Sequence, residues 1–345
     1  MDQRLILAVA GSGKTRYLID RLDLEKRFLI VTYTNNNCKN LKDRICRKFG
    51  YLPQNISVRT YFSFLVNFCY KPFFHHILRE KGVTWKDPPF YPRNNKIQAH
   101  YITSSSYLYH NRIAKLCQNE CDSIKSRISR YYDCFYIDEV QDLGGYDFDF
   151  VKSIIPQDRD VLFVGDFYQH TFETSHDGNK NTGLYKNSIK NYKKNWTGTT
   201  LTVDETSLKN SYRCPKVVCD FVTSNLGISI DSTSSKDGCI IYLSTDEEIE
   251  AVVKNNSIPK LFYQNSSQYD CFSMNWGASK GLDDFEDVCV VLNGTTQKAF
   301  GKDQLKNLAG PTKNKLYVAC TRAKRNLYFV DEKKLSFCLD GWPKH

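Results

Sequence analysis

A glycine-rich turn near the start of the sequence constrains the fold more than any other feature. The apolar run Leu5–Val9 is typical of a buried strand, and Gly11–Thr15 (Gly-Ser-Gly-Lys-Thr) follows it and opens a helix. In such a turn, backbone N–H groups face a bound phosphate, the lysine reaches the β- and γ-phosphates, and the threonine hydroxyl holds Mg²⁺. The strict pattern has glycine where this chain has Ala8. The order of strand, turn and helix still predicts a nucleotide site, formed by Ala10, Gly11, Ser12, Gly13, Lys14 and Thr15.

Apolar runs and amphipathic segments alternate along the chain. This alternation predicts an α/β fold with parallel sheets and crossover helices. The predicted strands of the first part are Leu5–Val9, Phe28–Thr32, Val58–Thr60, Cys134–Asp138 and Val161–Gly165. The predicted helices of that part are Lys14–Leu24, Lys39–Phe49 and Phe62–Tyr70.

Residues from about 71 to 130 interrupt the alternation. Prolines punctuate the first half of this segment, and a helical period returns from Tyr107 to Arg130. We therefore expect a small, mainly helical insertion in the first domain.

A shorter version of the same alternation follows residue 200. The chain has 345 residues, enough for about two domains. We therefore predict one α/β domain over residues 1–200 and a second over residues 201–345. The predicted elements of the second are helix Pro215–Ser224, strand Cys239–Leu243, helix Asp246–Lys254, strand Lys260–Tyr263, strand Val288–Leu292, helix Lys313–Ala323 and strand Asn326–Val330.

The charge and composition of the chain limit its binding partners and its cellular location. The net charge of +10 suits a polyanionic partner such as a nucleic acid. The sequence has no run of 18 apolar residues, so we expect no membrane contact. A strand beginning at Leu5 leaves no room for a signal peptide, and the thirteen cysteines are scattered without a C-x-x-C pair. We therefore expect reduced thiols, no structural zinc site and a cytoplasmic location.

Two acidic residues and an amide lie at or just after the ends of two predicted strands. Asp138 and Glu139 come at the end of Cys134–Asp138, and Gln169 follows Val161–Gly165. Ligands bind at the carboxyl ends of strands in a parallel sheet. There Asp138 could hold Mg²⁺, Glu139 could accept the proton of an attacking water, and Gln169 could orient that water.

The order of these motifs resembles the UvrD/Rep-type superfamily 1 DNA helicases. The resemblance covers the chain except for about 71–130 and 173–200. It implies two RecA-like domains that hold ATP and Mg²⁺ between them, with single-stranded DNA across both. The matching segments are Ala8–Thr15, Thr32–Asn35, Thr60–Phe64, Asp138–Asp142, Gly165–Phe172, Leu208–Arg213, Ala278–Leu282 and Leu316–Lys324.

The resemblance also implies roles for single residues at the nucleotide. Arg213 and Arg322 would stabilise charge on the γ-phosphate in the transition state. Tyr212 would stack on adenine. Gly281 and Asp283 would lie at the nucleotide, and Asp283 stands where the family has a ribose-contacting glutamate.

For the nucleic acid, the resemblance implies a groove in the first domain. Its residues are Thr32, Tyr33, Asn35 and Thr60. Tyr33 could stack on a base, and a core position for this ring is an open alternative.

The chain departs from the family at several positions, most of which concern nucleic-acid contacts. Phe62 replaces a histidine, and Thr174 stands where an aromatic residue usually stacks on DNA. Asn275 and Gly277 replace a threonine and a histidine. Gln3 lies too close to the glycine-rich turn to act as the family's adenine-reading glutamine, so we expect weak discrimination between ATP and other nucleoside triphosphates.

The sequence thus predicts an ATP-dependent DNA helicase or translocase, with 3′→5′ polarity implied by the resemblance and a monomer favoured. Two alternatives stay open. One is a nucleic-acid-stimulated ATPase that remodels DNA or RNA complexes without unwinding. The other is a nucleotide-gated binding module that acts through a protein partner. A small-molecule P-loop kinase would leave Arg213 and Arg322 without a role.

Overall fold

The structure is a computed structural model that describes residues 1–88, 98–171, 180–185, 188–282 and 284–337. The chain divides into two compact units. The first contains Met1–Ile6, Thr15–Gly165 and Glu173–Asp204, and the second contains Leu7–Lys14, Asp166–Phe172 and Glu205–His345. Both units are α/β with parallel strands, so the predicted fold class is confirmed. The domain assignment 1–200 and 201–345 stays a prediction.

The first unit is built on a six-stranded sheet. The strands have the order β3-β2-β6-β7-β1-β8. β2 runs parallel to β3 and β6, β6 parallel to β7, and β1 parallel to β8. The central strands are apolar and buried along their whole length, as expected where helices cover both faces of a sheet. The bounds are β1 Gln3–Leu7, β2 Phe28–Thr32, β3 Ile56–Thr60, β6 Cys134–Asp138, β7 Asp160–Gly165 and β8 Thr202–Asp204.

Helices connect these strands. In α2 the Thr34 hydroxyl caps the first turn by accepting a hydrogen bond from Asn37 N, and Gly50 ends the helix at a φ of +81°. The bounds are α1 Lys14–Asp20, α2 Asn35–Phe49, α3 Tyr61–Ser63, α4 His76–Leu78, α5 Ile113–Cys117, α6 Cys121–Tyr131, α7 Gly145–Ser153 and α8 Ile189–Lys194. A π-helix, Phe64–His75, joins α3 to α4.

The insertion contains strands as well as helices. β4 (Gly82–Thr84) pairs in parallel with β5 (Tyr107–Tyr109). The predicted helix from Tyr107 is therefore wrong at its start, and helix α5 begins only at Ile113. The prediction failed because Tyr107–Tyr109 is a short continuous apolar run without a period of its own, and pairing with β4 makes it a strand.

The second unit contains a five-stranded parallel sheet in the order β11-β15-β14-β12-β13, and a two-stranded parallel pair of β9 and β10. The strand bounds are β9 Asn210–Ser211, β10 Asp231–Ser232, β11 Ile240–Tyr242, β12 Lys260–Phe262, β13 Ser273–Asn275, β14 Val288–Leu292 and β15 Leu327–Asp331. The helices are α9 Lys216–Phe221, α10 Asp246–Lys254, α11 Gly294–Gly301 and α12 Gly310–Cys320.

Several predicted bounds shift. The first strand ends at Leu7 rather than Val9, so the glycine-rich turn is longer than expected. Helix α1 ends at Asp20 rather than Leu24, and α12 lies three residues earlier than the predicted Lys313–Ala323. In the part of the chain that the structure describes, no helix is long and apolar enough to cross a membrane.

Candidate functional site

The glycine-rich turn is held by the segment Leu208–Arg213 of the same unit. Val9 N donates to Leu208 O at 3.0 Å, and Tyr212 N donates to Gly11 O at 2.9 Å. Gly11 has a φ of +71°, and a Cβ at this position would lie 2.6 Å from both Arg213 Cβ and Ser211 Oγ. Glycine is therefore required at position 11 both by the backbone conformation and by the close approach of its neighbours.

The lysine of the turn is almost buried, whereas the tyrosine beside the turn is open. Lys14 is 8% exposed, and the Ser12 hydroxyl donates to Val9 O at 2.8 Å. Tyr212 is 69% exposed. Its ring passes Gly13, where an added Cβ would lie 3.9 Å from Tyr212 Cδ2. The ring therefore offers an open aromatic face beside the phosphate-binding turn.

A buried tyrosine links the turn to Asp166. Ala10 N donates to the Tyr317 hydroxyl at 2.8 Å, and that hydroxyl donates to Asp166 Oδ2 at 3.0 Å. The Gln169 amide donates to the same carboxylate oxygen at 2.9 Å. Burial raises the pKa of Tyr317 well above its ordinary value, so the phenol keeps the proton that it donates. The sequence analysis missed Tyr317, although it lies inside the recognised motif Leu316–Lys324.

The two arginines are also fixed by backbone oxygens. The Arg213 guanidinium donates to Thr321 O at 3.2 Å. Arg322 is 1% exposed, and its guanidinium donates to Val318 O at 3.2 Å and Leu282 O at 3.1 Å. In this conformation Arg322 therefore ties α12 to the segment that precedes residue 283.

In the first unit, a hydroxyl and a carboxylate come together at the carboxyl edge of the sheet. The Thr15 hydroxyl lies 3.3 Å from Asp138 Oδ2, although 123 positions separate the two residues. Thr15 lies in the first turn of α1, and Asp138 is the last residue of β6. Oxygen atoms of this kind are the ligands that Mg²⁺ prefers, and it is usually held by one or two carboxylates together with substrate phosphates. The pair therefore fits the predicted magnesium role.

The next residue has an unusual backbone. Glu139 has a φ of +60°, which costs on the order of 1 kcal/mol or more outside glycine. Its backbone N–H donates to Asp138 Oδ1 at 3.1 Å, and its side chain accepts a hydrogen bond from the Gln141 amide. Both contacts hold the strained turn and aim the Glu139 carboxylate. Such strain is common at functional sites.

The predicted nucleic-acid residues lie at the ends of β2 and β3. Thr32 ends β2 and is buried, and its Oγ1 has no hydrogen-bond partner among the described residues. Thr60 ends β3, and its hydroxyl accepts from Ser63 N at 3.2 Å as a helix cap. The Tyr33 ring lies parallel to the Tyr61 ring with centroids 6.3 Å apart. Asn35 opens α2 and is exposed.

Three residues of the sequence analysis lie outside the described residues: Phe172, Thr174 and Asp283. Gly281 is described and exposed, with a φ of +81°.

Parallel sheets, a Gly-Ser-Gly-Lys-Thr turn between strand and helix, and an acidic strand end beside Thr15 define the class of P-loop NTPases. Comparison with protein families narrows this class. Residues 2–175 match the family described as an AAA domain, and residues 101–331 match the viral superfamily 1 RNA helicase core domain. The chain belongs to the viral superfamily 1 RNA helicase core-domain family.

Solved structures of helicases share the fold. The arterivirus nonstructural protein 10 helicase in complex with DNA has a TM-score of 0.51 and 13% identity, over 98% of this chain and 63% of that one. The PRRSV helicase has a TM-score of 0.51 and 13% identity, over 99% and 55%. A crystal structure of the arterivirus nonstructural protein 10 helicase has a TM-score of 0.50 and 12% identity, over 96% and 61%. A comparison with curated protein sequences found no significant match.

This chain therefore spans between 55% and 63% of the length of those helicases. The superfamily 1 part of the predicted resemblance is confirmed by the family match. The UvrD/Rep-type assignment stays a prediction.

Proposed function

We propose that this protein hydrolyses ATP with Mg²⁺ and uses the energy to move along single-stranded nucleic acid and to separate strands. The observation that carries the proposal is the approach of the Thr15 hydroxyl to Asp138 at 3.3 Å, next to the strained residue Glu139. A turn with a purely structural role does not require a buried carboxylate beside the threonine of a P-loop. Phosphoryl transfer does need such a pair.

Thr15 and Asp138 would hold Mg²⁺, which neutralises charge on the β- and γ-phosphates when it is bound. Glu139 would accept the proton of the attacking water, and its hydrogen bond from Gln141 sets the direction of the carboxylate. Lys14 and the turn from Ala10 to Gly13 would bind the phosphates.

Four further residues would complete the nucleotide roles. Gln169 would orient the attacking water, and Arg213 and Arg322 would stabilise charge in the transition state. For Arg322 this role requires that the guanidinium leaves at least one of its present carbonyl partners. Tyr212 would stack on the base, because its ring is exposed beside Gly13. The roles of Gly281 and Asp283 rest on the resemblance alone.

Four residues would contact the nucleic acid: Thr32, Tyr33, Asn35 and Thr60. Thr32 is 1% exposed, so its hydroxyl would reach a nucleic acid only after a local rearrangement, and its role rests on the resemblance. Asn35 is exposed in the first turn of α2, where N–H groups favour an anion such as a phosphate.

Single-stranded DNA is the proposed nucleic-acid substrate, and the UvrD/Rep resemblance implies movement in the 3′→5′ direction. A similar helicase was solved with DNA, which supports this choice. Single-stranded RNA is the alternative substrate, and the description of the matching family as an RNA helicase core domain favours it. A cytoplasmic location and a monomeric state remain expectations from the sequence.

A strand-separation assay tests the proposal. Four duplexes, of DNA or RNA and with a 3′ or a 5′ overhang, are incubated with ATP and Mg²⁺, and release of a labelled strand is followed. We expect release from the DNA duplex with the 3′ overhang, and none from the Lys14→Ala variant. Stimulated ATP hydrolysis without release from any duplex would instead support the remodelling ATPase.

A further inference from the structure

Three aromatic rings from separate parts of the chain meet at the edge of the insertion. The centroids of Phe62 and Trp85 are 4.9 Å apart, and those of Trp85 and His110 are 4.7 Å apart, each pair tilted by 35°. Phe62 lies in α3, Trp85 follows β4 directly, and His110 follows β5. We call these three residues the aromatic platform.

The backbone around the platform is fixed. β4 and β5 pair through Thr84 and Tyr109, the residues that precede Trp85 and His110. His110 Nδ1 lies 3.3 Å from Thr84 O, and Lys86 N donates to Thr84 Oγ1 at 3.2 Å. Strand pairing and local hydrogen bonds therefore fix the backbone that carries Trp85 and His110.

The central ring is open to solvent. Trp85 is 67% exposed, whereas Trp196 and Trp276 are 1% and 0% exposed. A tryptophan that only stabilises a fold is normally buried for most of its surface, because its large apolar area contributes most when water is excluded. An ordered, exposed indole is typical of a surface that receives another flat ring.

The charge of the insertion is strongly positive. Residues 71–130 contain eleven lysines and arginines and four aspartates and glutamates, which is seven of the ten net positive charges of the chain. Lys81 and Lys86 are exposed on either side of Trp85 in the sequence. Aromatic faces among lysines are the combination that binds single strands, since bases stack on the rings and phosphates meet the cations.

We propose that Phe62, Trp85 and His110 form a base-stacking site for single-stranded nucleic acid, with Trp85 as the ring that contacts a base. The proposal rests on the proposed function, and it adds a site outside the four residues that the resemblance implies. It also gives Phe62 a role where the resembling family has a histidine. The site takes any base, because every base has a stacking face.

The test compares binding of two single-stranded oligomers of equal length, a labelled oligothymidylate and an abasic sugar-phosphate chain, by fluorescence anisotropy. The variants are Trp85→Ala, Trp85→Phe and, as a matched control, Tyr51→Ala, because Tyr51 is a 56% exposed aromatic residue that is not part of the platform. ATP hydrolysis without nucleic acid and thermal unfolding are measured on the same preparations.

We expect Trp85→Ala to weaken oligothymidylate binding by about 5- to 150-fold, the range for loss of one stacked base. Its affinity for the abasic chain stays that of the wild type. Trp85→Phe keeps most of the affinity, and Tyr51→Ala keeps all of it. The tryptophan emission that Trp85→Phe removes is quenched when oligothymidylate binds to the wild type.

Equal losses for both oligomers in Trp85→Ala, or no loss for either, would overturn the base-stacking site. If the wild type binds both oligomers and hydrolyses ATP, such a result leaves the proposed function intact. A wild type that binds neither oligomer would contradict the proposed function together with this site.

Discussion

Tyr317 holds the glycine-rich turn through hydrogen bonds that its sequence context does not reveal. It stands within the apolar run Leu316–Cys320, where a tyrosine is expected to pack in the core. Its hydroxyl in fact joins Ala10 N to Asp166, two groups that lie 307 and 151 positions away. A pattern of residues that are adjacent in the sequence cannot reveal partners at such separations. The sequence could therefore predict the motif Leu316–Lys324 but not the hydrogen bonds of Tyr317.

Tyr317→Phe removes the hydroxyl and leaves a buried N–H without an acceptor. We expect the free energy of unfolding to fall by about 1–3 kcal/mol, the usual cost of an unsatisfied buried group. The KM for ATP rises because the turn is held less firmly. Urea unfolding and steady-state kinetics measure both effects. Tyr51→Phe at an exposed position is the control, and equal stability of the two variants would contradict the role of this hydrogen bond.

Asp147 gives the first unit a pH-dependent stability. Burial raises the pKa of Asp147 from 3.8 to about 7, against the effect of the hydrogen bond from the Tyr61 hydroxyl at 2.9 Å. In the unfolded chain this carboxyl loses its proton near its ordinary pKa, so between about pH 4 and 7 the folded state binds more protons. The stability that Asp147 contributes is thus complete below that window and is lost as the pH rises through 7.

Asp147→Asn removes this titration while the amide oxygen can still accept the bond from Tyr61. We expect the variant to gain stability relative to the wild type as the pH rises from 5 to 8. Urea unfolding of both proteins at several pH values measures the difference. A difference that does not change with pH would show that Asp147 has an ordinary pKa in the folded state.

Among the strands of the two large sheets, the buried ones were predicted well, and two of the four edge strands were missed. Cys134–Asp138 and Val288–Leu292 are predicted residue for residue, because a strand buried on both faces is a continuous apolar run. The sheet-edge strands β8 and β13 contain Thr202-Val203-Asp204 and Ser273-Met274-Asn275, which are too polar and short to show a pattern. Pairing with a neighbouring strand defines them, and pairing is a tertiary property.

The strand end at Gly165 was predicted, but its contact with the acidic turn was not. A Cβ on Gly165 would lie 2.8 Å from Val140 Cγ1 and 3.2 Å from Gln141 N. Gly165 ends strand β7, and its close approach supports the neighbouring turn that positions Glu139. Glycine is therefore required here by packing rather than by backbone conformation.

Gly165→Ala should displace the acidic turn and lower ATP turnover by about 100-fold, the effect of misplacing a catalytic group by roughly 1 Å. ATP binding, measured with a fluorescent analogue, should change less than turnover. Gly294→Ala is the matched control, because an added Cβ at that position meets open space. Normal turnover in Gly165→Ala would show that the turn does not depend on this contact.

In the whole molecule, the two compact units are interleaved along the chain, and the domain assignment 1–200 and 201–345 stays a prediction. Leu7–Lys14 and Asp166–Phe172 group with the second unit. Their hydrogen bonds to Leu208, Tyr212 and Tyr317 account for this grouping. The order of motifs along the chain does not reveal this grouping, because it depends on contacts between residues that are far apart in the sequence.

The proposed function requires that a nucleic acid stimulates ATP hydrolysis and that Glu139 acts as the general base. The most direct measurement is steady-state ATP hydrolysis with Mg²⁺, alone and with single-stranded DNA or RNA, for the wild type and for Glu139→Gln. We predict that a single strand stimulates the wild type, and that Glu139→Gln binds ATP but turns over about 10²- to 10⁴-fold more slowly. Wild-type turnover that neither nucleic acid changes would exclude a nucleic-acid-stimulated ATPase, and normal turnover in Glu139→Gln would exclude Glu139 as the general base.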